Sequence, residues 1–134
     1  MKHPQIRAAV LAALKATITD PGIVWFDGRP GFLDSDQLPA IAVYLTDAKS
    51  TENYLEDEKT WAAILHIEVF LKADETDTVL DEWIENSILP VMDDIPALSE
   101  LVDDIDTVGY DYQRDDMAMT WGSADLQYAL TYSM

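Results

Sequence analysis

The sequence predicts an α+β fold, in which helices pack on one antiparallel or mixed sheet of four to five strands to give a two-layer α/β sandwich. Three observations support this prediction. Two segments repeat apolar residues at helical spacing, several shorter segments alternate apolar and polar residues, and turn-forming residues separate the segments. The length of 134 residues favours one domain that comprises residues 1–134.

The first half of the chain contains a helix and two strands. We predict a helix over residues 4–18, because apolar residues recur on one face and Pro4 suits the first turn. Residues 23–26 form a short strand, and residues 28–39 are a loop with two prolines and several turn formers. Residues 40–45 are almost entirely apolar, which is typical of a central strand.

The second half contains the clearest strand and a helical region. Residues 61–72 alternate between an apolar and a mixed face, and we expect them to pair antiparallel with residues 40–45. Asp77 is a candidate N-cap of the next helix, which Pro90 should kink or end near Leu89. The remaining predicted elements are a short helix after Pro96 and two strands over residues 107–113 and 124–132.

The most polar stretch lies between the two paired strands, at residues 46–60. It has no clear period, and loops of this length in compact domains are typically functional or mobile. We predict a mobile loop, and a solvated hairpin connection is the alternative.

Charge is the strongest signal in the composition, with 26 acidic and 8 basic residues and a net charge of −18. Such a chain is not expected to bind a nucleic-acid backbone, because it cannot replace the condensed counterions. Its copies repel one another, so self-association would require salt or a divalent cation. No apolar run reaches the length of about 18 residues that spans a bilayer. The basic start reads as an amphipathic helix and not a signal peptide, so we expect no membrane partner and synthesis in the cytoplasm.

Few residues could carry catalysis. The chain has no cysteine and two histidines, and no Ser-His-Asp set or glycine-rich phosphate loop is discernible. Acidic pairs are common, but no spacing among them selects a metal site. We therefore predict no enzymatic activity. Two alternatives stay open at this point, namely an acidic mimic of nucleic acid that inhibits a DNA-binding protein and a carboxylate-dependent magnesium hydrolase.

Aromatic and arginine side chains near the predicted loops indicate a protein interface, where such residues supply much of the binding energy. Trp61 and Trp121 each begin a strand beside a polar loop, and Arg29 and Arg114 lie in or next to loops. In so acidic a chain, structural salt bridges are the alternative role for both arginines.

Several stretches of the chain together resemble one known family. They are RAAVLAAL (7–14), FDGRP (26–30), PAIAVYLT (39–46), LHIEVFL (65–71), LDEWIE with ILPVMDDIPALSELV (80–102), GYDYQRDD (109–116) and SADLQYALTY (123–132). In this order they resemble the minor tail protein U, or tail terminator, family of lambda-like bacteriophages. The sequence departs from the family pattern mainly at residues 17–24, 47–60 and 117–122.

The resemblance implies a structural virion protein with a small α/β sandwich fold. Members of the family are monomers when dilute and form a hexameric ring on the finished tail tube. The ring stops addition of the major tail tube protein and offers a surface for head attachment through a head–tail joining protein. Magnesium promotes ring formation in the family, and no cofactor is required for folding. The expected location is the head-proximal end of the tail in the virion, after assembly in the host cytoplasm.

The resemblance also gives the acidic clusters candidate roles. We predict that Asp77 and Asp74 contribute to a magnesium site or a subunit contact, with a plain N-cap as the alternative for Asp77. Loop residues are candidate contacts with the tube or a neighbouring subunit, and others are candidates for the ring interface. The loop candidates are Glu52, Tyr54, Glu56 and Asp57, and the interface candidates are Arg29, Arg114, Asp115, Asp116 and Trp121.

Overall fold

A computed structural model describes residues 1–51 and 59–134 of the chain. Within these ranges the strands are β1 (Val24–Asp27), β2 (Ala40–Ser50), β3 (Thr60–Lys72), β4 (Asp104–Arg114) and β5 (Trp121–Ser133). The helices are α1 (Lys2–Thr17), α2 (Asp77–Glu82), α3 (Leu89–Met92) and α4 (Pro96–Ser99), with a π-helical turn at Trp83–Ile88 and a 3₁₀ turn at Ser35–Gln37.

The five described strands form one mixed sheet in the order β1-β2-β3-β5-β4. The short strand β1 runs parallel to β2, and all other neighbours are antiparallel. The predicted α+β fold is therefore confirmed, as is the pairing of β2 with β3. None of the described helices is both long and apolar enough to span a bilayer.

The helices cover one face of the sheet and create the main core. Leu65, Ile67 and Val69 of β3 point to this face and are fully buried, because α1 and the α2–α4 region pack over them. Leu126, Leu130 and Tyr132 do the same on β5. The alternating apolar residues that predict these strands are thus the residues that are buried against the helices.

The opposite face of the sheet is covered over part of its area. Leu33 and Leu38, from the segment between β1 and β2, pack with Tyr44, Phe70 and other residues in a second apolar cluster. Beyond this segment the face has no helix over it among the described residues. Among the described residues, the second face of the sheet therefore has a covered half and an open half.

The helical region around Pro90 changes its winding, as the sequence predicts. Residues Trp83–Ile88 form a π-helical turn, and the N–H of Leu89 donates to the carbonyl of Ile84. Proline cannot donate to the preceding turn and its ring clashes there, so a wider turn relieves the conflict. Thr76, and not Asp77, is the N-cap of α2, and no side-chain cap is present.

Several predicted strands are longer in the structure than expected, and β4 begins at Asp104 and not at residue 107. The predicted loop over residues 46–60 is partly wrong, because β2 extends to Ser50 and β3 begins at Thr60. Lys49 pairs with Ala62 and Ser50 with Trp61 beyond a bulge that holds Asp47 at φ 57°. This end of the hairpin is solvated, so its polar residues gave no periodic signal. The candidates Glu52, Tyr54, Glu56 and Asp57 lie outside the described residues.

Candidate functional site

Four of the predicted interface residues meet at one end of the sheet. We call this the loop end, which consists of residues 73–76 after β3 and residues 115–120 between β4 and β5. One concavity here is lined by Ala73, Arg114, Asp115, Asp116, Met119 and Trp121. Trp121 packs edge-on against Phe70 with ring centroids 5.0 Å apart, so it is anchored in the second apolar cluster. The structure thus brings these four residues together, and their role in an interface stays a prediction.

Asp115 shapes the turn on which the group lies. Its carboxylate accepts hydrogen bonds from the backbone N–H groups of Thr120, Ala118 and Met117 at 2.9, 3.2 and 3.2 Å. These bonds favour the charged form and lower the pKa of Asp115 below its usual value. The neighbouring Asp116 is exposed. Of the two, Asp115 has a structural task and Asp116 is available to a partner.

Arg114 connects the edge strand to the helical layer. Its Nη2 atom lies 2.5 Å from Oδ1 of Asp77 at the start of α2. The guanidinium crosses over Gly122, where a Cβ atom would come within 2.0 Å of Arg114 Nη1. The absence of a side chain at Gly122 therefore leaves the path for this ion pair. The pair is about half exposed, so it contributes roughly 0.2–1 kcal/mol to stability.

Two tyrosines extend the same connection along β4. The hydroxyls of Tyr110 and Tyr112 both donate to Oδ1 of Asp81, one turn further along α2 than Asp77. The hydrogen bonds to Asp81 raise the pKa of both phenols. Alternate residues of β4 thus contact successive acids of one helix, which fixes the loop end against α2.

The two acids predicted to bind magnesium have different surroundings. The carboxylate of Asp77 faces Arg114, and Asp74 lines an adjoining concavity with Asp34, Ser35 and other loop residues. Residues 1–51 and 59–134 contain no group of three or more histidines or acids arranged to hold a metal ion. Magnesium prefers six oxygen ligands, several of which are commonly water. A site at Asp74 and Asp77 therefore stays a prediction that needs further ligands from water or another subunit.

Arg29 lies apart from the loop-end concavity. Its Nε atom is 3.4 Å from Oε1 of Glu68, a fully buried carboxylate of the central strand β3. Burial lowers the pKa of Arg29, but the charge of Glu68 and the hydroxyl of Tyr44 outweigh this and give a net rise. Within one chain Arg29 thus forms the structural salt bridge that the sequence left as its alternative role. Its predicted role across a subunit junction stays a prediction.

Glu68 belongs to a buried polar network that the sequence did not reveal. Tyr44 and Ser123 donate hydroxyl hydrogen bonds to its two oxygens at 2.7 and 2.6 Å. Asp125 pairs with Glu68 across the strands, and its Oδ1 atom lies 2.9 Å from Nδ1 of His66 on the neighbouring row. Every described buried side-chain polar atom has a partner, so the network is internally satisfied.

The arrangement around His66 resembles a nucleophilic relay in its order of groups. The hydroxyl of Thr46 lies 2.6 Å from His66 Nε2, and Asp125 lies on the other ring nitrogen. However, His66 is stacked on Tyr44 with ring centroids 4.4 Å apart, and His66 and Asp125 are both buried. The three groups join β2, β3 and β5, so we interpret them as a brace across the sheet.

One signal could have indicated this network. His66 and Glu68 alternate with the core residues of β3, and Ser123 and Asp125 alternate with those of β5. Antiparallel pairing places Glu68 directly opposite Asp125. Two acids facing each other on central strands require neutralising partners. The alternation along β3 alone indicates only a mixed face, because it does not show which polar residues are paired across strands.

Comparison with known proteins decides the family. The sequence model of a family described as phage minor tail protein U matches residues 1–132. The chain belongs to this family. As a member, it is a structural component of a phage tail and not an enzyme. The family resemblance and the prediction of no enzymatic activity are both confirmed.

Two curated relatives within the family extend over the entire chain. The tail tube terminator protein of Escherichia phage lambda is 54% identical over 134 residues, which cover all of both chains. The tail tube terminator protein of Escherichia phage N15 is 49% identical over the same length and coverage. Neither comparison supports the nucleic-acid mimic or the magnesium hydrolase.

A solved structure shares the fold of this family member at much lower identity. It is a chain of the virion of a native gene transfer agent particle, with a TM-score of 0.51 and 14% sequence identity. The match covers 96% of this chain and 94% of the other. At that identity the likeness concerns the fold alone.

Proposed function

We propose that this protein terminates the phage tail tube. Copies of the chain form a six-membered ring on the completed tube, stop further addition of the tube protein, and offer the surface to which the head attaches. The observation that carries this proposal is the 54% identity, over the full length of both chains, to a protein named tail tube terminator. The virion tail is the site of action, after assembly in the host cytoplasm.

The charge of the chain supports a ring that forms on a template. Monomers with a net charge of −18 repel one another in dilute solution. Several of these charges are carried by exposed acids in or next to the loop end, including Asp74, Asp77 and Asp116. A tube end that concentrates the subunits, or a divalent cation between their carboxylates, offsets the repulsion. Assembly is therefore controlled without a change in fold.

The loop end is the proposed subunit contact within the ring. Its exposed acids lie beside the large, highly exposed side chains of Met117 and Met119, which are 97% and 76% accessible. Two exposed methionines in one short turn offer apolar surface that a partner can bury. In this proposal a neighbouring subunit covers them, and Arg114, Asp116 and Trp121 lie in the contact. Arg29 is the candidate basic group across the junction.

The function is tested by adding purified protein to uncapped tail tubes during polymerisation. We expect the wild-type protein to stop growth at a defined length in electron micrographs, since the ring blocks the growing end. A variant with residues 53–57 replaced by a Gly-Ser linker should fold normally but leave longer tubes, because these residues are the proposed tube contact. Tubes of unrestricted length with the wild-type protein would refute the terminator function, and normal lengths with the linker variant would refute the loop contact.

A second experiment tests the proposed magnesium contribution of Asp77. We expect Asp77→Ala to require a higher magnesium concentration for assembly than the wild type, because one carboxylate at the subunit contact is lost. Sedimentation velocity across a magnesium titration measures the shift in the association midpoint.

The matched control for that experiment is Arg114→Ala. It removes the 2.5 Å ion pair with Asp77 but leaves the carboxylate in place. If the two variants shift the midpoint equally, loss of the ion pair or of the Arg114 contact is enough to explain the effect, and the magnesium role of Asp77 is refuted. Identical curves for wild type and Asp77→Ala would remove Asp77 from the contact altogether.

A further inference from the structure

The open half of the second sheet face has a regular arrangement of side chains. Residues paired across antiparallel strands point to the same face, so the strand register defines rows across the sheet. Two neighbouring rows adjoin the buried polar network, which they meet at Thr46, and each has small or apolar side chains at its centre and an acid on the edge strand β4. The rows are Lys49, Ala62, Thr131 and Asp104, and Thr46, Ile64, Ala129 and Asp106. We call these residues the open-face rows.

The open-face rows form a real depression on the surface. Ala62, Ile64, Ala129 and Thr131 are all partly exposed, whereas Glu68, Ser123 and Asp125 further along the same face are buried. A concavity of about 600 Å³ is lined by these four residues together with residues of the bulged end of β2. The rest of the face is sealed by the segment that carries Leu33 and Leu38. The two halves of one face thus differ in whether residues 1–51 and 59–134 cover them.

Charge selects the kind of molecule that fits this surface. Asp104 and Asp106 form an acidic wall along the β4 side, and Lys49 lies at the opposite side. A ligand that lays apolar groups over Ile64 and Ala129 would place its β4-facing side against two carboxylates. Basic side chains on that side of the ligand are attracted to the two carboxylates, and acidic side chains are repelled by them.

A second copy of the chain is poorly suited to this surface. The chain has 8 basic residues, and most already contact groups of their own chain. Arg7, Arg29 and Arg114 pair with acids, Lys2 donates to the Leu101 carbonyl, and Lys15 lies over the Trp25 ring. Lys49 lies in the surface itself. Another subunit would therefore bring mostly acids to an acidic wall. The same holds for residues 52–58, since their sequence ENYLEDE contains four acids.

We propose that the open-face rows bind a basic, apolar segment of a different protein. The bound segment lies over Ala62, Ile64 and Ala129 and directs lysine or arginine side chains to Asp104 and Asp106. This surface is separate from the loop end and from the ring contact proposed above. It gives the protein a second binding site, which distinguishes a heterologous partner from its own copies by charge.

The proposal is tested by nuclear magnetic resonance on the ¹⁵N-labelled full-length chain in dilute, magnesium-free buffer. The probes are two synthetic peptides of equal length, one with alternating lysine and valine and one with alternating glutamate and valine. We expect the lysine peptide to shift the amide signals of the open-face rows and the glutamate peptide to leave them unchanged. The double variant D104N/D106N should bind the lysine peptide roughly two- to thirty-fold more weakly, as expected for two surface charge pairs.

The matched control is D93N/D94N, which removes the same charge from two exposed acids of the helical layer. It should bind the lysine peptide as the wild type does. Equal loss of affinity in both double variants, or shifts centred elsewhere, would overturn the proposal. Open-face shifts that grow with protein concentration alone would instead assign the surface to a second copy. None of these outcomes depends on tube termination, so the two proposals fail independently.

Discussion

Arg29→Glu is expected to lower the free energy of unfolding by about 3 kcal/mol, near the lower end of the range for a broken buried ion pair. The substitution places a second carboxylate against Glu68, whose side chain is fully buried 3.4 Å from the present Arg29 Nε. Because 43% of the Arg29 side chain is exposed, water screens part of the new repulsion. Urea unfolding followed by circular dichroism measures the change.

Two further variants separate the ion pair from a general charge effect. Lys72→Glu makes the same change in net charge at an exposed position and should alter the unfolding free energy much less. Adding Glu68→Gln to Arg29→Glu should recover part of the loss, because it removes one of the two opposed charges. Equal urea midpoints for Arg29→Glu and Lys72→Glu would contradict the structural role of the pair.

The expected loss of stability in Arg29→Glu limits how the subunit contact can be tested. A charge reversal at Arg29 that prevents ring assembly would not by itself place Arg29 at a junction, since it also weakens the fold. A cleaner comparison is Arg29→Gln in the Glu68→Gln background, in which neither charge of the pair remains. Loss of assembly in a fully folded protein of that kind would support the contact across the junction.

Ile67→Ala is expected to cost about 2–5 kcal/mol of stability, whereas Ile64→Ala should cost distinctly less. Ile67 is fully buried on the helix-covered face of β3, and its loss leaves a cavity beneath the helices. Ile64 lies on the same strand but points to the open face, where it is partly exposed. Urea denaturation of the two variants measures the difference.

The two isoleucine variants share residue type, strand and substitution. Any difference in their stability therefore reflects the sheet face on which each side chain lies. If Ile64→Ala destabilised the chain as much as Ile67→Ala, part of the molecule would have to cover the open face. In that case no free surface would exist for a partner. The predicted inequality is therefore also a check on the docking surface.

Much of the fold could be predicted because the main core is built from regular alternation. Leu65, Ile67 and Val69 recur at strand spacing, and Leu80 and Ile84 lie one helical turn apart. Such periods follow from local geometry and do not depend on which elements meet. The extension of β2 to Ser50 was missed for the opposite reason, since a solvated hairpin end imposes no period on its residues.

The candidate site could be predicted in part. The Arg114, Asp115, Asp116 and Trp121 group was located because these residues are near neighbours in the sequence around one turn. By contrast, Arg29 and Glu68 are distant along the chain, and so are Asp77 and Arg114. Their pairing depends on the order of strands and on where α2 packs, which no short stretch of sequence specifies.

The sequence by itself determined the class of fold, the acidic character and, through a resemblance that spans the chain, membership of a tail protein family. Only the tertiary structure decided which charges are neutralised within one subunit and which half of the second sheet face stays open. The physical reason is that periodicity and net charge are local or summed properties, whereas pairing and exposure depend on contacts between residues far apart in the chain.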